Sequence, residues 1–243
     1  MLSGRRHVLI AGREKVAAGC LRPSDENRSM TLRYLDLESL RAVPLTRNPF
    51  EYLIVPGFVR PDGCAKINAD YPDIAERGSF PVAQLSYGPA FSEFLDELES
   101  EEFRRAFEEK FGVDLAGRPT TTTVRGQCSP KDGQIHSDSK SKIITVLIYM
   151  NPSWEQPGGR LRLLNSSANL DDVIVEVPPA EGTLVAFKRA DNSWHGHKPF
   201  AGPRRVIQFN WVTSEGDRRI AMLRHHVSAP FKRMFAALLP SRS

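Results

Sequence analysis

The sequence predicts an α+β fold that is mainly β: a sandwich, jelly roll or small barrel, with supporting helices before it and a helical segment after it. Three observations carry this. After Pro119, short β-rich runs follow one another at about 119–128, 134–138, 142–151, 160–165, 172–177, 183–188, 193–198 and 204–212. Turn residues separate them, among them Lys131-Asp132-Gly133, Asn151-Pro152, Pro157-Gly158-Gly159, Pro178-Pro179 and Gly202-Pro203, and no helical pattern intervenes. Helical periodicity is concentrated ahead of this half, between Pro89 and Gly112.

Each element has a local reason. Phe50 to Val55 is aromatic and β-branched and ends at Pro56-Gly57, which predicts a strand and a turn. Pro61-Asp62 open a helix to about Ala69, with Cys64, Ile67 and Tyr71 at helical spacing. Phe91, Phe94, Leu95 and Leu98 form one apolar stripe. Ser100 can cap a second helix, with Glu101 and Glu102 in its first turn, Phe103, Phe107 and Phe111 on its buried face, and Gly112 as its stop. From Arg218 to Leu239, Ile220, Met222, Leu223, Phe231, Met234 and Leu238 stand among basic residues, predicting one or two amphipathic helices broken near Pro230. The domain reading is an N-terminal arm over 1–49, partly disordered, a folded domain over 50–214 with its β core at about 119–212, and a basic helical extension over 215–243. Residues 1–29 hold Arg5, Arg6 and Arg13 without the apolar core of a secretory signal; they read as a disordered arm, or as an over-extended start with Met30 as initiator.

Composition narrows the class. The 243 residues suffice for one domain with a real core, and 40% apolar with 26% charged residues is ordinary for a soluble globular chain. No run approaches the ~18 apolar residues of a spanning helix. The formal charge of +4 is uneven: residues 1–49 carry nine Lys/Arg against five Asp/Glu, residues 215–243 six against two, and the stretch between them 18 against 22. An acidic folded body argues against a nucleic-acid partner. The basic ends read as solvated tails and a helix face; a membrane partner is not expected, and the basic C-terminal helix is the one segment that could offer such a contact. Cys20, Cys64 and Cys128 are odd in number and irregularly spaced, so a reducing, cytoplasmic setting is expected.

The chemistry starts at His136-Ser137-Asp138. In a strand, residues i and i+2 share a face, so this spacing sets an imidazole beside a carboxylate. Two histidines and one carboxylate on one face of a metal leave the opposite positions open, the facial arrangement of Fe(II) oxygenases. The third ligand should come from a later strand, and residues 193–211 offer His195 and His197, followed by Arg204 and Arg205. Parity does not separate the histidines. An arginine there could grip a carboxylate with both arms of its fork deep in an apolar barrel. Parity favours Arg205, which shares a strand face with Ile207, Phe209 and Trp211; Arg204 shares its face with Gln208 and Asn210 and reads as a solvated edge charge.

With these motifs in view, the stretch from about Thr120 to Trp211 resembles the double-stranded β-helix domain of the 2-oxoglutarate/Fe(II) oxygenases, in their prolyl-4-hydroxylase-like branch. The ordered elements are His136-Ser137-Asp138, Tyr149-Met150-Asn151, Gly158-Gly159-Arg160-Leu161, and His195, Pro199, Arg205 and Trp211. The resemblance implies a jelly roll holding Fe(II) through His136, Asp138 and His195. It implies 2-oxoglutarate held by Arg205, because the family's anchoring base precedes the strand's Trp by six, with Tyr149 as a further contact to its carboxylate. It further implies O2 as oxidant, ascorbate as reductant, and hydroxylation of a C–H bond of a protein side chain or small molecule with release of succinate and CO2. Arg125 and Gln134 are candidate pocket residues. Trp154 and Trp194 are candidates for the substrate mouth.

Rival readings are a non-catalytic jelly-roll binding module, a zinc hydrolase using the same three ligands, and an AlkB-like nucleic-acid oxygenase. The final strand, Arg204-Arg205-Val206-Ile207-Gln208-Phe209-Asn210, lacks the last group's pattern. Asp171 and Asp172 read as turn residues, and His225-His226 as part of the basic C-terminal helix. Substrate identity and oligomeric state are not legible in the sequence.

Overall fold

A computed structural model describes residues 32–223. Its strands are Tyr52–Val55 (β1), Phe80–Pro81 (β2), Thr120–Cys128 (β3), Lys142–Tyr149 (β4), Leu161–Leu164 (β5), Val173–Val177 (β6), Leu184–Lys188 (β7), His195–His197 (β8) and Gly202–Val212 (β9). They form a six-stranded sheet in the order β1-β7-β4-β9-β3-β2 and a three-stranded sheet in the order β6-β5-β8. Every strand pairing is antiparallel. The result is the jelly roll the strand pattern predicts, with helices beside it.

Helices Leu37–Ala42 (α1), Pro61–Ala69 (α2), Pro89–Leu98 (α3) and Glu101–Phe111 (α4) precede the main β half. Proline starts α2 and α3, where its missing N–H costs nothing. Ser100 caps α4, its hydroxyl accepting from the Phe103 amide at 3.2 Å, and Gly112 ends it in the left-handed region at φ 62°.

The large sheet is covered on both faces. One face carries Ile144, Val146, Ile148, Ile207, Phe209 and Trp211, packed on Phe91, Phe94, Phe103 and Phe107 of the helices. The rings of Phe103 and Trp211 stack at 5.7 Å, and that of Phe107 meets Trp211 at 5.0 Å. The other face puts Tyr149, Val185, Phe187 and Val206 against Leu161 and Leu163 of the small sheet. Burial on both sides explains why Ile143 to Met150 reads as a nearly continuous apolar run.

Two expectations change. The strand expected at 134–138 is a single antiparallel bridge between His136 and His195; the turn through Gly133, at φ 85°, brings the chain onto β8 for one pairing only. The domain also begins earlier than residue 50. Leu32, Tyr34, Leu35 and Leu40, placed in the arm by the sequence reading, are buried in the core. The Glu97 carboxylate holds them by accepting the backbone N–H groups of Arg33, Tyr34 and Leu35. Residues 1–31, with Cys20, lie outside the described region. Residues 215–223 are helical, as expected; the remainder of the predicted C-terminal helices, with His225-His226, also lies outside it.

Phe103 touches Phe58, Phe107, Phe209 and Trp211. Its truncation leaves a cavity where helix meets sheet, so Phe103→Ala should destabilise the domain by roughly 3–5 kcal/mol, measured by urea unfolding against wild type.

Candidate active site

The site is assembled where a loop meets β8. The His136 amide donates to the His195 carbonyl, and the His195 amide to the His136 carbonyl, both at 3.0 Å. This bridge sets the two imidazoles side by side, with centroids 4.3 Å apart. Asp138 follows two residues after His136 and turns its carboxylate to the same point. One ligand atom from each of His136, Asp138 and His195 lies within 4.8 Å of the others, close enough to share one metal ion.

Second contacts fix each ligand. His136 Nδ1 faces the Gln134 carbonyl at 2.8 Å and His195 Nδ1 faces the Ser193 carbonyl at 3.0 Å. A carbonyl only accepts, so Nδ1 carries the proton and Nε2 keeps the lone pair for a metal. Asp138 Oδ1 accepts from Lys142 Nζ at 2.8 Å, and Oδ2 from the Thr145 hydroxyl. Burial pushes the Asp138 carboxyl up, but the Lys142 charge, His195 and the two hydrogen bonds outweigh it and hold it at about 2. Burial lowers His195 to about 4 despite the attraction of Asp138. At neutral pH the carboxylate is therefore ionised and His195 neutral, the forms that bind a metal.

His197 lines the same cavity but is not one of the converging three. Its Nδ1 faces the Lys198 carbonyl at 2.9 Å, and its Nε2 lies 3.9 Å from Cys128 Sγ. Burial, and then the charges of Arg204 and Arg125, lower it to about 4.

The expectation for Arg205 is overturned. Arg205 is outside the cavity: its guanidinium donates to the Asn68 side chain at 3.0 Å and lies over the Tyr71 ring at 4.9 Å. Arg204 is the arginine that lines the cavity, only 5% exposed. The apolar residues sharing a face with Arg205, namely Ile207, Phe209 and Trp211, point to the helices and not into the jelly roll. The inward face of β9 is Arg204, Val206, Gln208 and, beyond them, Asn210. Trp211 thus faces away from the site, and counting six residues back from it lands on the wrong side of the strand.

Arg204 is fixed in the cavity wall. Its Nε donates to the Gly159 carbonyl at 2.8 Å, and its guanidinium lies 5.3 Å from the centre of the Tyr149 ring. No carboxylate among the described residues forms an ion pair with it. The Tyr149 hydroxyl is fully buried; it makes no hydrogen bond of ordinary geometry and has only the Arg204 guanidinium to interact with it. A buried guanidinium with no counter-charge is costly, and a buried phenol without a well-formed hydrogen bond adds to that cost.

The surrounding motifs serve this arrangement. A Cβ on Gly158 would come within 2.3 Å of the Pro199 carbonyl, so the Gly-Gly turn lets the chain lie close to the segment after β8. Asn151 donates to the Pro179 and Arg205 carbonyls and accepts from the Arg205 amide. Arg125 lines the cavity and is paired with Asp132 at 2.6 Å; Gln134 contributes its carbonyl to His136 and is not among the lining residues. Trp154 packs on Phe200 beside the Gly-Gly turn. Asp171 and Asp172 are engaged at the surface by Arg162 and Lys198, and by Asn165 and Ser166. The cavity, of about 190 Å³, runs between the converging ligands and Arg204, with Thr123, Leu147, Val206 and Gln208 on its walls.

Fold and site together define a class: a jelly-roll protein with a two-histidine, one-carboxylate facial triad. Residues 126–213 match the family model of the 2OG-Fe(II) oxygenase superfamily. Solved structures similar to it include a prolyl-4-hydroxylase of Pseudomonas putida, with 16% identity, 72% of this chain and 88% of that one covered, and a TM-score of 0.49. A viral collagen prolyl hydroxylase from Paramecium Bursaria Chlorella virus-1 is 16% identical, with 67% and 96% covered and a TM-score of 0.45. A 2OG-Fe(II) family oxidoreductase of Burkholderia pseudomallei is also 16% identical, with 66% and 84% covered and a TM-score of 0.47. No curated protein sequence matches the chain.

Lys142 and Thr145, neither singled out from the sequence, orient the carboxylate. Thr145→Val keeps the volume and removes the hydroxyl, so metal affinity should fall roughly 10- to 100-fold in a fluorescence titration, while the far-UV spectrum is unchanged.

Proposed function

We propose that this protein is a 2-oxoglutarate- and Fe(II)-dependent dioxygenase that hydroxylates a C–H bond of a protein side chain or small molecule, releasing succinate and CO2, with ascorbate as reductant. The observation that carries the proposal is the unmatched cation in the cavity wall. The Arg204 guanidinium, buried, without an anionic partner and lying over the Tyr149 ring, lines one cavity with the three converging metal ligands. A zinc hydrolase or a passive metal-binding module leaves Arg204 without a task.

The residues suit the groups. His136 and His195 would each offer Nε2 to Fe(II), and Asp138 one carboxylate oxygen, leaving the facing positions for co-substrate and O2. Bound there, the iron and 2-oxoglutarate would supply O2 activation coupled to oxidative decarboxylation. The chain's part is placement. Arg204 and Tyr149 grip the far carboxylate of 2-oxoglutarate and so fix how deeply it enters. Lys142 and Thr145 keep Asp138 ionised and stop its carboxylate from rotating. Leu147, Leu161 and Val206 give the cavity a dry wall. Arg125, held by Asp132 and Ser79, stands in the cavity wall, where it can meet a substrate.

With Fe(II), ascorbate and 2-oxoglutarate, the purified protein should form succinate, and His136→Ala should abolish this. A wild-type protein that binds neither iron nor 2-oxoglutarate would sink the proposal. The arginines give a sharper comparison. Arg204→Ala removes a charge-assisted contact of roughly 1.5–3 kcal/mol, so KM for 2-oxoglutarate should rise about 10- to 100-fold. Arg205→Ala should leave that KM near wild type and lower thermal stability instead.

A further inference from the structure

The Gly158-Gly159 turn does more than bring two chain segments together. It closes the connection between β4 and β5, in which residues 152, 153 and 155–157 are exposed and Trp154 is the half-buried one. The indole Nε1 of Trp154 donates to the Gly158 carbonyl at 3.1 Å, and its ring meets that of Phe200 at 4.7 Å. Both rings lie against Gly159: a Cβ there would come within 2.7 Å of Trp154 Cζ2 and 3.1 Å of Phe200 Cγ. The Gly159 amide donates to the Lys198 carbonyl at 3.0 Å, and its carbonyl accepts from Arg204 Nε at 2.8 Å. Two rings therefore clamp the residue whose carbonyl holds the Arg204 fork. Neither Trp154 nor Phe200 lines the cavity, so an effect of either on a bound molecule must pass through another residue.

We propose that Trp154 and Phe200 are positioning residues for the co-substrate, acting on the Arg204 guanidinium through the Gly159 carbonyl. The proposal rests on the reading that Arg204 grips the far carboxylate of 2-oxoglutarate. A guanidinium is a rigid planar fork, and a carboxylate bound by both of its arms needs that fork aimed correctly. The Tyr149 ring supports the guanidinium from one side, but contact with a ring leaves the fork free to turn within its own plane. The bond from Nε to Gly159 removes that freedom, provided the carbonyl itself stays in place. In a largely exposed connection that ends in two glycines, little else restrains it. Trp154 and Phe200 supply the restraint, and the missing Cβ of Gly159 is what lets their rings reach the backbone. Trp154, expected at the substrate mouth, is thus assigned to the support behind the co-substrate's anchor.

Calorimetric titration of 2-oxoglutarate into the full-length protein loaded with Mn(II) reads this without turnover. Trp154→Ala should weaken 2-oxoglutarate binding about fivefold or more, with Mn(II) affinity unchanged. Trp154→Phe keeps a ring against Gly159 and Phe200 and should recover most of the loss. In an Arg204→Ala background, Trp154→Ala should cost nothing further, because the group it positions is gone. Unchanged 2-oxoglutarate binding in a folded Trp154→Ala protein overturns the proposal. So do losses that multiply in the double variant, which would place the action of Trp154 elsewhere, and a parallel loss of Mn(II) affinity, which would mean a general collapse of the site. If thermal unfolding shows that Trp154→Ala does not fold, Phe200→Leu, a milder change at the same contact, enters the same cycle with the same expectations. Wild-type 2-oxoglutarate affinity in Arg204→Ala alone is a different failure: it removes the arginine grip, and the positioning role falls with it. A clear loss in Arg204→Ala with none in Trp154→Ala strikes the positioning role only.

Discussion

Strand β9 has no solvent face over most of its length, and the register of its two buried sides governs the site. On one side Ile207, Phe209 and Trp211 are locked into the aromatic cluster of Phe103 and Phe107. Because side chains alternate strictly along a strand, that lock turns Arg204, Val206 and Gln208 into the jelly roll. A slip of one residue would drive Arg205 into the cavity and Ile207 with it, and would leave the helices facing Gln208 and Asn210. The helices in front of the β half are therefore part of how the site is built. They supply none of the three converging side chains, but they decide which arginine faces the cavity.

The same constraint explains why the cavity is polar inside an otherwise apolar fold. Strands β4 and β9 satisfy their need for burial on the helix side, which frees the inward side to carry Thr145, Gln208, Asn210 and Arg204. These are not idle. The Thr145 hydroxyl lies between Asp138 and Asn210, and Asn210 donates to Thr121, so the carboxylate is tied into a chain of hydrogen bonds running across three strands. Such a network holds Asp138 charged even though burial alone disfavours the charge. Arg204, in contrast, is left without an acid. The two ends of the cavity thus differ by design: the metal end carries a compensated anion and the far end an uncompensated cation.

How much of this could be read from the sequence depended on whether the signal was local. Caps and stops were legible because they act within one turn: Ser100 on Phe103, and Gly112 at positive φ. Most strands, and the two-residue spacing of His136 and Asp138, were legible for the same reason. The arginine was not. Parity correctly grouped Arg205 with Ile207, Phe209 and Trp211, but the inference that an apolar face points into the barrel fails when helices cover the outside. Only the tertiary placement of Phe103 and Phe107 resolves it. The packing of Leu32, Tyr34 and Leu35 was hidden in the same way, since it rests on Glu97, more than sixty residues away in sequence. His195 and His197 share a face, and what separates them is the loop bridge at His136, again a contact between distant residues.

The direction of β9 also relates the cavity to the chain's end. Arg204 stands near the strand's start and the helix 215–223 follows its finish, so about ten residues separate them, or roughly 30 Å of extended chain. The helix is joined directly to the strand that presents Arg204, Val206 and Gln208 to the cavity. The strand's aromatic lock on the helices bears on this end too: Phe209 and Trp211, packed on Phe103 and Phe107, stand between residue 215 and the register that keeps Arg204 inward.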